Sequence, residues 1–284
     1  MRAYAPEYDL LAPSSLHQAL ALVADERRPI AGGTDLMVLF EAGKLPYRKL
    51  VSLWGLRELR GISATDSHLV LGALTTYTEI QQNETMRREF PLLVRAASWT
   101  GAVATQNRGT LAGNIANASP AADSPPALLV YDAELELLSL RGSRWVPYAD
   151  FHTGYKTSAL APDEIIAHIR LPRTTAGCIS YLRKVGTRRA QAIAKVALAG
   201  LAKLGNGTIE RIRIALASVA PVPLRCLETE RLLTGRRPDR ALIEEAKAKL
   251  AAEIAPIDDI RSTERYRRLI AANLLEEFLE SLLP

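Results

Sequence analysis

The sequence predicts an α+β fold built from two consecutive domains. Three observations support this prediction: short apolar strand-like runs with helices between them in the first two thirds, a strong hairpin pattern after that, and amphipathic helices at the end. The chain has 284 residues, which is long for one domain and sufficient for two. We expect a first domain over residues 1–175 and a second over 176–284, with the boundary near Arg173–Gly177.

The first domain is predicted from alternating helical and strand patterns. A helix is expected at residues 14–24, because Ser15 and Gln18 form a capping box and the apolar residues share one face. The elements expected after it are strands at 50–54 and 68–74, each followed by a helical segment, a helix at 90–99, a hairpin around 135–144 and a strand at 164–171.

The second domain is predicted from one hairpin and three helices. Two long β runs, 192–204 and 209–219, flank Gly205-Asn206-Gly207, which is a strong turn sequence. Helices are expected at 224–234, 239–251 and 263–283. This pattern indicates an antiparallel sheet with helices on one face.

The first candidate site is a glycine-bearing turn at residues 29–36. A short apolar strand runs into two glycines, which permit a left-handed backbone and close approach, and Thr34 adds a hydroxyl. The turn has neither a GxGxxG spacing nor the lysine of a P-loop, so no named nucleotide fingerprint is indicated. Its residues are Pro29, Ile30, Ala31, Gly32, Gly33, Thr34, Asp35 and Leu36.

The second candidate site is the stretch 108–123, whose small residues allow peptide N–H groups to approach an anion closely. A diphosphate would suit such a loop. Asp123 differs, because a carboxylate repels phosphate and more readily accepts hydrogen bonds from the hydroxyls of a ribityl or ribose chain. Glycine-rich loops are also common connectors, so this stretch alone leaves both interpretations open. The candidate phosphate contacts are Thr110, Leu111, Ala112, Gly113 and Asn114.

Composition excludes several classes of protein. There are only two cysteines and four scattered histidines, so the chain cannot by itself build a four-cysteine iron–sulfur or zinc site. No run of about eighteen apolar residues occurs, and the first residues lack the apolar core of a signal peptide, so we expect a cytoplasmic protein without a membrane span. The net charge of +5 comes from the last third, where 19 basic residues face 13 acidic ones. A solvated helical face explains that excess as well as a binding surface does.

Taken together, these motifs resemble the FAD-binding (medium) subunits of molybdenum hydroxylases, the group that includes xanthine, carbon monoxide and nicotinate dehydrogenases and aldehyde oxidoreductases. The motifs that carry the resemblance occur in family order over essentially the whole chain. They are Ala31-Gly-Gly-Thr-Asp35, Thr110-Leu-Ala-Gly-Asn-Ile115 with Ser119-Pro120 and Asp123, Phe151-x-x-Gly-Tyr155 with Thr157, Ala192-Ile-Ala-Lys-Val196, and Arg261-Ser-Thr263 with Tyr266-Arg267.

The resemblance implies a flavin domain of the vanillyl-alcohol-oxidase type (a PCMH-type domain) with two α/β subdomains, 1–55 and 56–175, and a C-terminal α+β domain. It implies that both turns wrap the FAD diphosphate and that Asp123 holds nearby hydroxyls. Thr100 and Ile166 would contact the flavin or its chain, and Lys195 would lie near the isoalloxazine. Ala112 departs from the glycine usual in the family, at a cost of about 1 kcal/mol if that residue must be left-handed.

The residues themselves also single out Lys195, because a lone lysine in an apolar run needs a partner if it is buried. A cation beside the flavin would stabilise the negative charge that reduction adds. A lysine at a strand end that reaches solvent is the alternative.

The function implied is electron transfer from a [2Fe–2S] partner through FAD to NAD or another acceptor. Molybdopterin and the iron–sulfur clusters would reside on a large and a small partner subunit, in a heterotrimer that is single or doubled. Two alternatives are a free-standing flavin oxidoreductase and a basic nucleic-acid-binding module, although thin aromatic interleaving among the C-terminal arginines disfavours the latter. The sequence specifies neither the substrate, nor the acceptor, nor the copy number.

Overall fold

The computed structural model describes residues 7–188 and 191–283. Its first sheet has three parallel strands in the order β1-β3-β2. Ser15 starts the first helix by accepting a hydrogen bond from the Gln18 N–H at 3.3 Å, which is one half of the predicted capping box. The Gln18 side chain accepts from the Ser14 N–H at 3.1 Å and not from Ser15, so the reciprocal half is absent. The elements are β1 (Asp9–Leu11), α1 (Leu16–Ala24), β2 (Arg28–Ile30), α2 (Leu36–Glu41) and β3 (Lys49–Ser52).

The second sheet has five antiparallel strands in the order β4-β5-β10-β6-β7, beside a separate β8–β9 pair. Its strands are β4 (Ile62–Ala64), β5 (His68–Gly72), β6 (Glu134–Ser139), β7 (Gly142–Pro147), β8 (His152–Gly154), β9 (Thr157–Ser158) and β10 (Ile165–Pro172). Six helices lie between β5 and β6: α3 (Tyr77–Gln82), α4 (Glu84–Glu89), α5 (Pro91–Trp99), α6 (Val103–Gln106), α7 (Leu111–Ala116) and α8 (Pro125–Val130). Short 3₁₀ turns occupy Arg57–Leu59 and Tyr148–Asp150.

The third sheet is antiparallel in the order β11-β12-β13-β14. The expected turn joins β12 to β13, and Asn206 and Gly207 both have positive φ, 52° and 75°, as a type I′ hairpin requires. The elements are β11 (Ile179–Val185), β12 (Val196–Gly205), β13 (Thr208–Ala217), β14 (Leu224–Arg225), α9 (Leu227–Leu233), α10 (Arg240–Glu253) and α11 (Glu264–Glu280).

The C-terminal domain folds around the packing of helix α11 on the middle of the third sheet. A Cβ atom at Gly200 would lie 2.4 Å from the Phe278 ring, so only glycine admits the helix at this distance. Leu274, Phe278 and Leu282, which are spaced four residues apart, are buried, whereas Tyr266 near the start of α11 is 37% exposed. The sheet and the helix therefore form one core.

The fold class is as expected, but several boundaries were wrong. The helix expected from residue 224 begins at Leu227, because the Cys226 N–H still bonds the Ile214 carbonyl of the sheet at 2.9 Å. The strand expected from residue 192 begins at Val196. After β3 the chain makes only a 3₁₀ turn. Strand β11 was not predicted at all, since its apolar residues do not alternate.

Helix α8 joins the two halves of the molecule. All six of its residues are buried, and it packs on β12 and β13. Guanidinium groups of the C-terminal half cap its end: Arg213 donates to the Val130 carbonyl at 3.0 Å and Arg225 to the Leu129 carbonyl at 2.8 Å. These contacts fix the segment immediately before α8, residues 119–124, against the third sheet.

Candidate flavin site

The two predicted glycine-bearing turns lie against each other. A Cβ atom at Gly32 would lie 1.6 Å from the backbone oxygen of Arg108, so the absence of a side chain is what lets the turns meet. Further along, the Asn117 amide donates to Asp35 Oδ1 at 3.3 Å. The sequence signals at 29–36 and 108–117 therefore belong to one site, which is the arrangement a shared ligand requires.

The first turn offers unpaired backbone donors. Gly33 has φ of +78°, a left-handed value that glycine adopts without strain. Within the described part of the chain, the N–H groups of residues 32–36 donate to no protein acceptor, and Thr34 is exposed beside them. A cluster of free N–H groups in a turn of this shape is suited to an anion.

The second turn is held by Thr110, which caps helix α7. Its hydroxyl accepts from the Gly113 N–H at 3.1 Å. Ala112 lies inside the helix and its φ is not positive, so the alanine that departs from the family pattern carries no left-handed strain. The left-handed residue of this segment is Ala118, with φ of 50°.

The Asn114 side chain is oriented by a buried neighbour. Its Oδ1 accepts from the Ser124 hydroxyl at 2.6 Å, and its Nδ2 donates to no other described residue. The amide therefore presents its donor end on the side away from Ser124.

Asp123 forms an ion pair with Lys184 of β11. The Lys184 ammonium lies 2.7 Å from Asp123 Oδ2, and each side chain is only 11% exposed. Burial raises the pKa of the Asp123 carboxyl, while the Lys184 charge opposes the rise. Asp123 Oδ1 is buried without a partner among the described residues, so it is the oxygen that remains for a ligand hydroxyl.

Lys184 is the site residue that the sequence reasoning missed. It pairs across the domain boundary, and only its position on β11 brings it to Asp123. Because β11 was not predicted, no pattern indicated which way this lysine points.

A buried tyrosine lies behind the second turn. The ring of Tyr77 packs against Gly109, where a Cβ atom would lie 3.3 Å from it, and its N–H donates to the Gly109 carbonyl at 3.2 Å. Its hydroxyl is buried and has no hydrogen-bond partner among the described residues. Burial raises the pKa of Tyr77 above its ordinary value, and the hydroxyls of Ser124 and Thr100 offset part of that rise.

The remaining predicted residues, Thr100, Ile166 and Lys195, have different surroundings. Thr100 ends helix α5, and its hydroxyl donates to the Ala96 carbonyl at 3.0 Å. Ile166 is 5% exposed and packs in the core on β10. The Lys195 ammonium lies 5.1 Å above the Tyr266 ring, pairs with no carboxylate in the described residues, and is half-buried. Their roles toward a flavin stay predictions.

The site is chemically suited to a dinucleotide. Free N–H groups and the Asn114 amide can bind phosphate oxygens, and the buried unpaired Asp123 oxygen can accept from a sugar or ribityl hydroxyl. The residues present therefore fit FAD. In the described ranges no three His, Cys, Asp or Glu side chains converge as a metal site would need, and none of the helices there has the length and apolarity to cross a membrane.

Fold and site together define a flavin-dinucleotide-binding subunit, and comparisons with known proteins specify the family. Residues 6–174 match the model described as the FAD binding domain in molybdopterin dehydrogenase, and residues 181–282 match the CO dehydrogenase flavoprotein C-terminal domain. The chain therefore belongs to the family of FAD-binding subunits of molybdopterin dehydrogenases, and it is an oxidoreductase subunit.

Individual relatives are similar over most of their length. The xanthine dehydrogenase FAD-binding subunit of Escherichia coli O157:H7 is 32% identical over 260 residues, covering 89% of this chain and 88% of that protein. The glyceraldehyde dehydrogenase medium chain of Sulfolobus acidocaldarius is 32% identical over 267 residues, covering 93% and 94%. In the solved carbon monoxide dehydrogenase of Hydrogenophaga pseudoflava, one chain superposes with a TM-score of 0.92 at 28% identity, covering 96% of each chain.

Proposed function

We propose that this chain carries electrons from [2Fe–2S] clusters on a small partner subunit, through FAD, to NAD or another acceptor. A large partner subunit with molybdopterin would oxidise the substrate. The single observation that carries this proposal is the meeting of the two glycine-bearing turns beside the Asp123–Lys184 pair. Bound FAD would accept and release electrons one at a time, while the chain sets its binding, potential and access.

Each of three segments of the chain has a distinct task in this proposal. Residues 1–55 and 56–175 each contribute one turn to the diphosphate, and 176–284 contribute Lys184 and Lys195. The Asp123 carboxylate and Lys184 ammonium neutralise each other in a poorly solvated place, so the pair holds the boundary between the domains closed around the ligand.

Partner subunits are inferred from the chain's own chemistry and from its relatives. Two cysteines without ligand spacing cannot hold an iron–sulfur cluster, so in this proposal the clusters that supply the electrons belong to another chain. The Hydrogenophaga pseudoflava relative is a medium chain of carbon monoxide dehydrogenase, a name that implies neighbouring small and large chains. We propose a heterotrimer, single or doubled, located in the cytoplasm.

Co-purification from the native host tests the proposal. Affinity purification through this chain should yield two further subunits, together with flavin, iron and molybdenum in constant ratio. The isolated chain mixed with candidate substrates should show no bleaching of the flavin absorbance. A chain that purifies alone and is reduced directly by a small substrate would instead establish a free-standing flavin oxidoreductase.

A further inference from the structure

We propose that Ser124 is a positioning residue of the flavin site, which acts by turning the Asn114 amide so that its NH₂ group faces the ligand phosphates. This inference rests on the proposed FAD site. Its central contact is the hydrogen bond from the Ser124 hydroxyl to Asn114 Oδ1, at 2.6 Å. With Oδ1 occupied in this way, the other end of the amide is a donor.

The local structure explains why the Ser124 hydroxyl is available for this task. Ser124 is the N-cap residue of α8, where a serine side chain normally accepts a hydrogen bond from the N–H of the second or third helical residue. Here it makes no capping bond. Pro125 and Pro126 follow it and have no N–H groups to cap. A capping bond would in any case use the hydroxyl oxygen as acceptor, so the O–H hydrogen is available to donate outside the helix.

Burial makes this hydrogen bond directional. Ser124 is fully buried, so no water competes for its hydroxyl, whereas Asn114 is half-buried at the second turn. A flipped amide would take the acceptor Oδ1 away from the Ser124 hydroxyl hydrogen and turn that oxygen toward the phosphates, where two negatively polarised groups repel. The Ser124 contact therefore selects the amide orientation that attracts an anion.

The segment that carries Ser124 is itself fixed in place. The neighbouring Asp123 pairs with Lys184, and Pro120 accepts from the Ser218 N–H at 2.8 Å. The hydroxyl is thus presented from a stretch anchored on the third sheet, and it aligns a side chain on helix α7. This arrangement links the packing of the two domains to the donor geometry of the phosphate site.

A double-mutant cycle on FAD affinity tests the inference. The isolated chain is stripped of flavin and titrated with FAD, following the quenching of flavin fluorescence. Ser124→Ala should raise the Kd by roughly three- to tenfold, the size of one hydrogen bond, and Asn114→Ala by at least as much. The combined variant should bind like Asn114→Ala alone, because Ser124 acts through that amide.

Controls separate this mechanism from general damage. Ser139→Ala also removes the hydroxyl of a buried serine, but that hydroxyl accepts from the Arg141 N–H at the end of β6 and not from Asn114, so this substitution should leave the Kd unchanged. If Ser124→Ala fails to fold, Ser124→Cys keeps the volume with a weaker donor and should give a smaller increase in Kd.

The outcomes are decisive. Additive effects of the two alanine substitutions, or a folded Ser124→Ala chain within twofold of the parent Kd, would overturn the role of Ser124 while leaving the flavin site intact. A parent chain that binds no FAD would instead overturn the proposed function.

Discussion

Gly32→Ala tests the contact that brings the two turns together. The added methyl group would lie 1.6 Å from the Arg108 backbone oxygen, whereas ordinary contact begins at 3.4 Å. The turns must therefore part by nearly 2 Å (3.4 − 1.6). Arg108 contributes a backbone atom here, so no side-chain rotation can relieve the clash.

The expected effect has two components. Overpacking of this kind typically costs about 1–3 kcal/mol of stability. Displaced N–H groups no longer reach the same phosphate, and losing even one or two hydrogen bonds to a charged group, at about 1.5–3 kcal/mol each, raises the Kd for FAD by at least about tenfold. We expect a folded chain that has lost most of its flavin.

Gly55→Ala is the matched control. Gly55 has no atom within 4 Å of the position of an added Cβ, and its φ is not left-handed, so the same substitution should be nearly neutral there. Both variants are purified in parallel, the ratio of flavin absorbance to protein absorbance is measured, and the Kd is determined by fluorescence titration. A Gly32→Ala chain that binds FAD as tightly as the Gly55→Ala chain would refute the reasoning.

Three further substitutions address individual side chains. Asn114→Asp replaces a hydrogen-bond donor with a negative charge and should raise the Kd for FAD by about a hundredfold. Full flavin occupancy of the purified variant would contradict the assignment of Asn114 to the phosphate site. Lys195→Ala should leave FAD bound but lower its reduction potential by roughly 20–40 mV, the effect of about 1–2 kcal/mol of charge interaction. The control Lys203→Ala should leave the potential unchanged. If spectroelectrochemical titration gave the same potential for the Lys195→Ala chain and the parent, Lys195 would be only a packing residue. Lys184→Met leaves the buried Asp123 carboxylate unpaired and should lower the free energy of unfolding of the flavin-free chain by about 3–5 kcal/mol at pH 7. Lys184 opposes the burial that raises the Asp123 pKa, so its removal should raise that pKa further in the folded variant. The variant's folded state then takes up a proton at a higher pH than the parent's, and the loss should shrink as the pH falls through that pKa toward the unfolded-state value. Equal losses in urea unfolding at pH 7 and at pH 5 would contradict this.

Local sequence signals predicted the elements whose structure is decided locally. The Ser15 cap, the Gly205-Asn206-Gly207 turn and the periodic spacing of 90–99 all depend on near neighbours. The two glycine-bearing turns were found for the same reason, since close backbone approach needs small residues. The resemblance to a known family then connected the two turns, and composition alone could not have done so.

The remaining features depend on tertiary contacts. Strand β11 lacks a clean alternation and is stabilised by its pairing with β12, so neither the strand nor the position of Lys184 could be predicted from its own residues. The start of α9 was misplaced because hydrogen bonds to β13 extend the sheet through residues that have a helical spacing. The orientation of Asn114 by Ser124 joins residues from α7 and the start of α8, and no sequence pattern encodes it.

The central claim is that two turns bind the bridging phosphates of a flavin dinucleotide, and a comparison of ligands tests it most directly. The flavin-free chain is titrated in parallel with FAD and with FMN, which has the same ring and ribityl chain but lacks the second phosphate and the adenosine. The account predicts tight, equimolar binding of FAD and much weaker binding of FMN. Equal affinity for the two flavins would show that the turns do not recognise a diphosphate.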